Sequence, residues 1–276
     1  MATEQGFTGA KGRRIFAQSW LPDGHPRDQV VIAHGYAEHS GRYEHVARFL
    51  NRDGFAVHAL DHHGHGRSEG DRAVIERFAH ATADIAALVD QVRAESGQAT
   101  VKLIGHSMGG SLALSYALNH QLRLSGLVLS GPAIGGRFPL FQRWFVAALS
   151  ALAPRAGTIA LDGNAVSRDP AVVAAYEADP LVTRGKIPAR TLHEMVKAIA
   201  TYPRRVAALR VPCLLMHGGA DSLVRASDTI PLFEAIGSPD KTIRVWPGRY
   251  HEIFNEPEQE EVLRVTADWL AAHPAR

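Results

Sequence analysis

Apolar and polar positions along this chain alternate between two textures. Short runs, "QVVIAH" (29–34), "AVHAL" (56–60), "TVKLIG" (100–105), "GLVLS" (126–130), "CLLMHG" (213–218) and "KTIRVW" (241–246), are rich in aliphatic and β-branched residues and read as buried parallel strands. Longer stretches between them repeat apolar residues at helical spacing. Phe78, Ile85, Val89 and Val92 share one face, as do Val262, Val265, Trp269 and Leu270. Strand and helix in repetition predict an α/β fold built on a mostly parallel, doubly wound sheet.

The alternation lapses from about Ala133 to Val206, where no strand pattern stands out. "FPLFQRWFVAALSALAP", "DPAVVAAYEADP" and "PARTLHEMVKAIATYP" predict helices separated by Pro, Gly and Asp. Because the segment leaves after one strand and returns before another, the expected organisation is a core of 1–132 and 207–276 with a helical cap, 133–206, over the strand ends. The first cap helix carries Phe138, Leu140, Phe141, Trp144, Phe145, Val146, Leu149 and Leu152, more apolar surface than one core-facing stripe needs. An outward-facing surplus suits a lid that touches lipid interfaces; packing on neighbouring helices or on a second subunit is the alternative.

Composition narrows the function classes. A chain of 276 residues can bury one large core, and 46% hydrophobic with 21% charged residues excludes a disordered or fibrous chain. The net charge is only +2 and the Lys and Arg residues are scattered, which argues against nucleic acid as a partner. The single cysteine, Cys213, lies in an apolar run and reads as a buried free thiol. The first twenty residues lack the apolar stretch of a signal peptide and no segment has the length of a membrane span, so a cytoplasmic protein is expected, peripheral to membranes at most.

Candidate chemistry centres on "KLIGHSMGGSLAL" (102–114), which places Ser107 where a strand ends and a helix begins. Ligands of open α/β sheets bind beyond the carboxyl ends of the strands. "GHSMG" fits the G-x-S-x-G elbow, in which Gly105 and Gly109 leave room for a sharp turn that lifts the hydroxyl out of the sheet. The competing reading is a polar residue in a tight turn. A serine hydroxyl is a weak nucleophile without a base, so the elbow predicts a histidine and a carboxylate further along. Asp221 follows "CLLMHG" and His251 follows "KTIRVW", giving the order Ser, Asp, His with each residue just past a strand end. That context favours catalysis over a structural serine, and such chemistry needs no metal or organic cofactor.

"HALDHHGHG" gathers His58, Asp61, His62, His63 and His65, a composition that invites zinc. The spacing does not converge on one point, and loop packing with hydrogen bonding is the favoured reading. His106, beside the nucleophile, reads as structural because a base for Ser107 must approach from across the pocket.

"HGYAEHSGRY" (34–43), "LDHHGHGRSEG" (60–70), "GHSMGG" (105–110) and "PGRYHEIFNEP" (247–257) together resemble the monoacylglycerol lipase branch of the α/β-hydrolases, from about Gln29 to the C-terminus. The cap string "SRDPAVVAAYEADPLV" (167–182) is similar to that family too. The resemblance implies an α/β-hydrolase fold, monoacylglycerol as substrate, and an oxyanion hole made by the backbone N–H groups of Tyr36 and Met108. It places Glu38, Arg42 and Tyr176 near the glycerol end of the substrate. Alternatively, Glu38 and Arg42 pair with each other to hold the loop, and Tyr176 is a half-buried cap residue. Tyr36 is larger than the residue usual at its position and would narrow the pocket. Phe254 stands where some relatives carry a polar histidine. Other readings on the same fold are a general carboxylesterase, a lysophospholipase or a cofactor-free perhydrolase, and, outside enzymes, a ligand-binding or scaffolding protein that keeps a hydrolase shell.

Overall fold

A computed structural model describes residues 2–136 and 138–275. The chain runs through β1 (Thr3–Thr8), β2 (Arg14–Trp20), β3 (Asp28–Ala33), α1 (Glu44–Arg52), β4 (Phe55–Leu60), α2 (Phe78–Ser96), β5 (Val101–His106), α3 (Met108–His120) and β6 (Leu124–Ser130). It continues through α4 (Leu140–Leu152), β7 (Gly157–Ala160), α5 (Pro170–Ala178), β8 (Lys186–Pro188), α6 (Ala189–Ile199), β9 (Cys213–Gly218), α7 (Ala226–Glu234), β10 (Lys241–Trp246) and α8 (Gln259–Ala272). Eight strands form one sheet in the order β1-β2-β4-β3-β5-β6-β9-β10, the α/β-hydrolase fold. The six runs read as strands are β3, β4, β5, β6, β9 and β10, and all of them pair in parallel.

Successive side chains of a strand point to opposite faces, so a strand covered on both sides must be apolar at every position. Val31, Leu103, Leu127 and Leu215 join the core under α2, α3 and α7, whereas their neighbours Ile32, Ile104, Val128 and Leu214 join the core under α1 and α8. The helical faces read from sequence do the covering: Phe78, Ile85, Val89 and Val92 on one side, Val262, Trp269 and Leu270 on the other.

Three features depart from the sequence reading. β1 and β2 add an antiparallel edge that pairs Thr3 with Ser19 through Thr8 with Arg14, and β2 runs antiparallel to β4. β10 is an edge strand exposed or half-buried along most of its length, not a buried one. The inserted segment also contains two short strands, β7 and β8, paired antiparallel through Gly157–Pro188 and Ala160–Lys186. At four and three residues they are too short to carry a pattern, and β7 is also largely exposed.

The chain places β4 on one side of β3 and β5 on the other, so a crevice opens at the carboxyl ends of β3 and β5. The loop after β3 and the elbow after β5 meet there. The segment between β6 and β9 lies over it.

Candidate active site

Ser107 occupies the single position between β5 and α3 with φ 53° and ψ −119°, a positive φ that non-glycine residues rarely adopt. Such a conformation costs about 1–3 kcal/mol and persists where the surroundings over-determine it. Here Ser107 N–H donates to the Ser130 carbonyl (3.0 Å), while its own carbonyl accepts from Ser111 N–H (3.2 Å) and Ala133 N–H (3.0 Å). The elbow glycines are required by close approach. A Cβ on Gly105 would press on the Gly109 carbonyl and Ala113, and one on Gly109 would overlap the carbonyl oxygens of Ala33 and His34.

Asp221 and His251 lie on the loops after β9 and β10, neighbouring parallel strands, which brings together residues thirty positions apart. His251 Nδ1 is 2.6 Å from Asp221 Oδ2, so the proton sits on Nδ1 and Nε2 is left as a base. The other carboxylate oxygen accepts N–H bonds from Leu223 and Val224, each 2.9 Å, which fixes the carboxylate plane. Burial pushes the Asp221 pKa up. The hydrogen bond and proximity of His251, together with Val224 N–H, outweigh it and hold the carboxyl below its ordinary value. The His106 ring packs against the His251 ring, tilted, with centroids 4.7 Å apart, and bonds through Nδ1 to the Ser130 carbonyl at 3.0 Å; burial, aided by His251, pulls it down to about 3, so it supports the ring as a neutral group.

Ser107 and His251 line one cavity of about 310 Å³ together with Tyr36, Glu38, Tyr176 and Glu252. No hydrogen bond joins Ser107 Oγ to His251 among the described residues; such contacts commonly tighten only when substrate is bound. The inserted segment forms the opposite wall with Ile159, Val166, Ile187, Met195 and Ile199. The result is a chamber lined by apolar side chains together with a few polar ones, the usual anatomy of a small-molecule site.

Met108 opens α3, so its N–H is among the amides that the helix leaves without an intrahelical acceptor, at its positive end. Tyr36 follows directly on Gly35, whose N–H is held at 2.6 Å by Glu38 Oε1. Glu38 also accepts from Tyr43 Oη and Arg42 Nη1, each at 2.7 Å. Arg42 reaches past the cavity wall to Glu252, with Nη1 to Oε1 and Nη2 to Oε2 both at 2.7 Å, and its guanidinium lies 4.8 Å from the centre of the Tyr176 ring. Burial pushes Glu38 up despite Arg42, whereas Arg42 outweighs burial at Glu252 and draws it down to about 2. Arg42 itself does not line the cavity. Glu252 does, and the sequence reading passed over it although it follows His251 directly.

Phe254 is buried in the core under α1 and α8, away from the cavity, which accounts for an apolar residue at that position. The histidine-rich loop is occupied with loop architecture. His58 bridges Ser19 and Gln29 at 2.8 and 2.9 Å, and His63 contacts Asp84 at 3.1 Å. His34 Nε2 accepts the His62 N–H at 2.9 Å, and Asp61 takes Ser40 N–H, Ser40 Oγ and Arg67 N–H. The His34, His62 and His65 rings contact one another, with His34 and His62 centred 4.3 Å apart.

With a nucleophile elbow on this fold, the chain belongs to the family described as serine aminopeptidase, S33, whose model matches residues 24–258. It is a hydrolase of that family. A monoacylglycerol lipase of Mycolicibacterium smegmatis is 41% identical over 98% of this chain and 98% of its own length. The human monoglyceride lipase is 33% identical over 90% of this chain and 82% of its own. Among solved structures, a monoacylglycerol lipase of Paleococcus ferrophilus superimposes with a TM-score of 0.83 at 32% identity, covering 94% of this chain and 99% of that one.

Proposed function

We propose that this protein hydrolyses monoacylglycerols to glycerol and free fatty acid through an acyl-enzyme. Ser107 Oγ attacks the ester carbonyl carbon while His251 Nε2 takes its proton, and the carbonyl oxygen becomes an oxyanion held by the N–H groups of Tyr36 and Met108. Asp221 stabilises the imidazolium. Collapse of the tetrahedral intermediate breaks the bond to the alcohol oxygen, which leaves with the proton from His251. A water molecule, deprotonated by His251, then attacks the acyl carbon and releases the fatty acid. The observation that carries this reading is that His251, held by a short bond to Asp221, lines the same cavity as a backbone-strained Ser107.

Glu38 and Tyr176, both in contact with Arg42, are assigned to the glycerol hydroxyls, and the apolar wall to the acyl chain. The family description names an aminopeptidase. The three relatives compared above are named as lipases.

Residues 133–206 act as a cap in this reading. Along α4, Leu140, Phe141, Trp144 and Phe145 are exposed, Trp144 by 75%, which supports contact with a lipid surface during substrate capture. Among the described residues, no helix is long and apolar enough to cross a membrane. A cytoplasmic location with peripheral membrane contact fits both observations.

Intact-mass analysis after a fluorophosphonate probe tests the nucleophile, with a single adduct expected on Ser107 and none on Ser107→Ala. Rates on monoacylglycerols, triacylglycerols, lysophospholipids, p-nitrophenyl esters and an amino-acid p-nitroanilide test the substrate. Faster turnover of lysophospholipid, triacylglycerol or anilide than of monoacylglycerol would refute the named activity.

A further inference from the structure

We infer that Arg42 is a positioning residue that ties the oxyanion loop to the histidine loop, rather than a group that binds the substrate; this rests on the catalytic reading above. Arg42 lies in the short 3-10 turn Ser40–Tyr43 ahead of α1, and its side chain is only 11% exposed. Its three charge-assisted bonds go in two directions. One reaches Glu38, whose second oxygen holds the N–H of Gly35, the residue before the oxyanion donor Tyr36. The other two form a bidentate pair with Glu252, the residue after the base His251. A continuous chain therefore runs Gly35, Glu38, Arg42, Glu252, and each end is one peptide bond from a reacting group.

The side chain has little left to offer a ligand. Nη1 and Nη2 are committed to carboxylates, the guanidinium is stacked on Tyr176, and Arg42 is not part of the cavity wall. The pair is also anchored on its far side. Tyr43 Oη donates to Glu38, Asn255 Nδ2 donates to Glu252 at 2.8 Å, and the Glu252 N–H donates to the Val166 carbonyl of the inserted segment at 2.8 Å. Only a planar fork can satisfy two carboxylates in this geometry, because lysine offers a point charge without bidentate direction. Without the guanidinium, two buried carboxylates would repel each other and push the two loops apart.

The discriminating variant is Arg42→Lys, which keeps the charge and removes the fork. Displacing catalytic groups by about 1 Å costs on the order of 100-fold in rate. Positioning predicts a fall of roughly 30- to 100-fold in kcat with KM nearly unchanged. The same factor should apply to a monoacylglycerol, to a p-nitrophenyl ester that has no glycerol, and to the rate of fluorophosphonate labelling. Glu252→Gln, a milder change that keeps the side-chain shape, should give a smaller loss of the same uniform kind. The double variant should be little worse than Arg42→Lys alone, because both break one link. Unaltered activity in both single variants, or a loss carried by KM and confined to glycerol esters, would overturn the inference. Thermal unfolding identifies any variant that fails to fold, and the remaining one then carries the test. If the unaltered protein does not take the probe at Ser107, the catalytic reading has failed first, and the two failures are separable.

Discussion

The floor of the cavity and the first helix over it are built by opposite physical means. Around Ser107 and His251, polar side chains are buried and bonded to one another: Asp221 accepts three hydrogen bonds, Glu38 three, and Arg42 serves two carboxylates. Along α4, apolar side chains are held in water, with Phe141 exposed by 70%. Buried polar networks fix geometry because any displacement leaves a desolvated group unpaired. An exposed apolar face fixes nothing in the free protein and gains free energy only when something covers it. On the proposed reading the floor carries the chemistry and the helix the contact, so damage to the floor should act on kcat and damage to the helix on access to substrate.

The largest effect should come from the floor. Ser107→Ala is expected to lower kcat by roughly 10⁴- to 10⁶-fold, and Asp221→Asn by about 10⁴-fold through loss of the correct imidazole tautomer, both in proteins with unchanged far-UV circular dichroism. Residual activity of Ser107→Ala within tenfold of the unaltered protein would mean that the elbow has another task.

Much of this floor can be read directly from sequence, because local signals mark it. A largely apolar run ending in glycine or histidine announces a strand carboxyl end, and Ser107 and Asp221 each follow one; His251 follows "KTIRVW", which alternates apolar and polar residues and ends in Trp246. The network that holds them is not local. Arg42 and Glu252 are 210 residues apart, and nothing in "SGRY" or "YHEIF" shows that they meet. β1 escapes notice because "TEQGFT" alternates weakly and stays largely exposed, while β7 and β8 span four and three residues, too short for any period. The α4 surplus is visible as composition, since seven large apolar positions exceed one stripe, but which of them face water depends on how α4 packs against α6.

A second way to sharpen the contrast is pH. Burial lowers His58 and His65 to about 4 and His62 and His106 to about 3, and places His34 well below its ordinary value. In the unfolded chain these rings titrate near ~6.5, so between that pH and their folded values the unfolded state binds more protons. Stability is therefore full above about pH 6.5 and is lost as the pH falls, by up to about 1.4 kcal/mol per pH unit for each ring. Urea titrations at pH 7.5, 6 and 5 should show the midpoint dropping steeply. A flat profile would mean that these imidazoles are not held neutral.

The α4 face should yield a smaller and more selective effect. Replacing Phe141, Trp144 and Phe145 with serine removes apolar area that is already in water, so the fold loses little. Hydrolysis of monoacylglycerol in vesicles is expected to fall on the order of 100-fold, with kcat/KM for a soluble p-nitrophenyl ester within about twofold, since each of the three aromatic side chains contributes on the order of 1 kcal/mol when covered. Equal losses on both substrates would show that α4 supports the cavity instead. A sedimentation profile that changes from dimer to monomer would identify a second copy as the cover.

The smallest effect belongs to a residue that joins the two regions. Tyr36 is half-buried, lines the cavity, meets the His65 ring edge-on at 5.7 Å, and packs against both the sheet core and the Ile187, Leu192 and Val196 cluster of the inserted segment. Its proposed catalytic part is the backbone N–H, which any residue supplies, whereas its ring only limits space. Tyr36→Ala should therefore keep kcat for a short-chain ester within about threefold, because loss of one oxyanion donor would instead cost about 10²- to 10³-fold. Longer or branched acyl groups should gain in kcat/KM as the chamber widens. An acyl-length series measured on both proteins decides the matter: a uniform hundredfold loss would mean that the ring itself holds the donor loop in place and that the division between a fixed floor and an adaptable roof runs elsewhere.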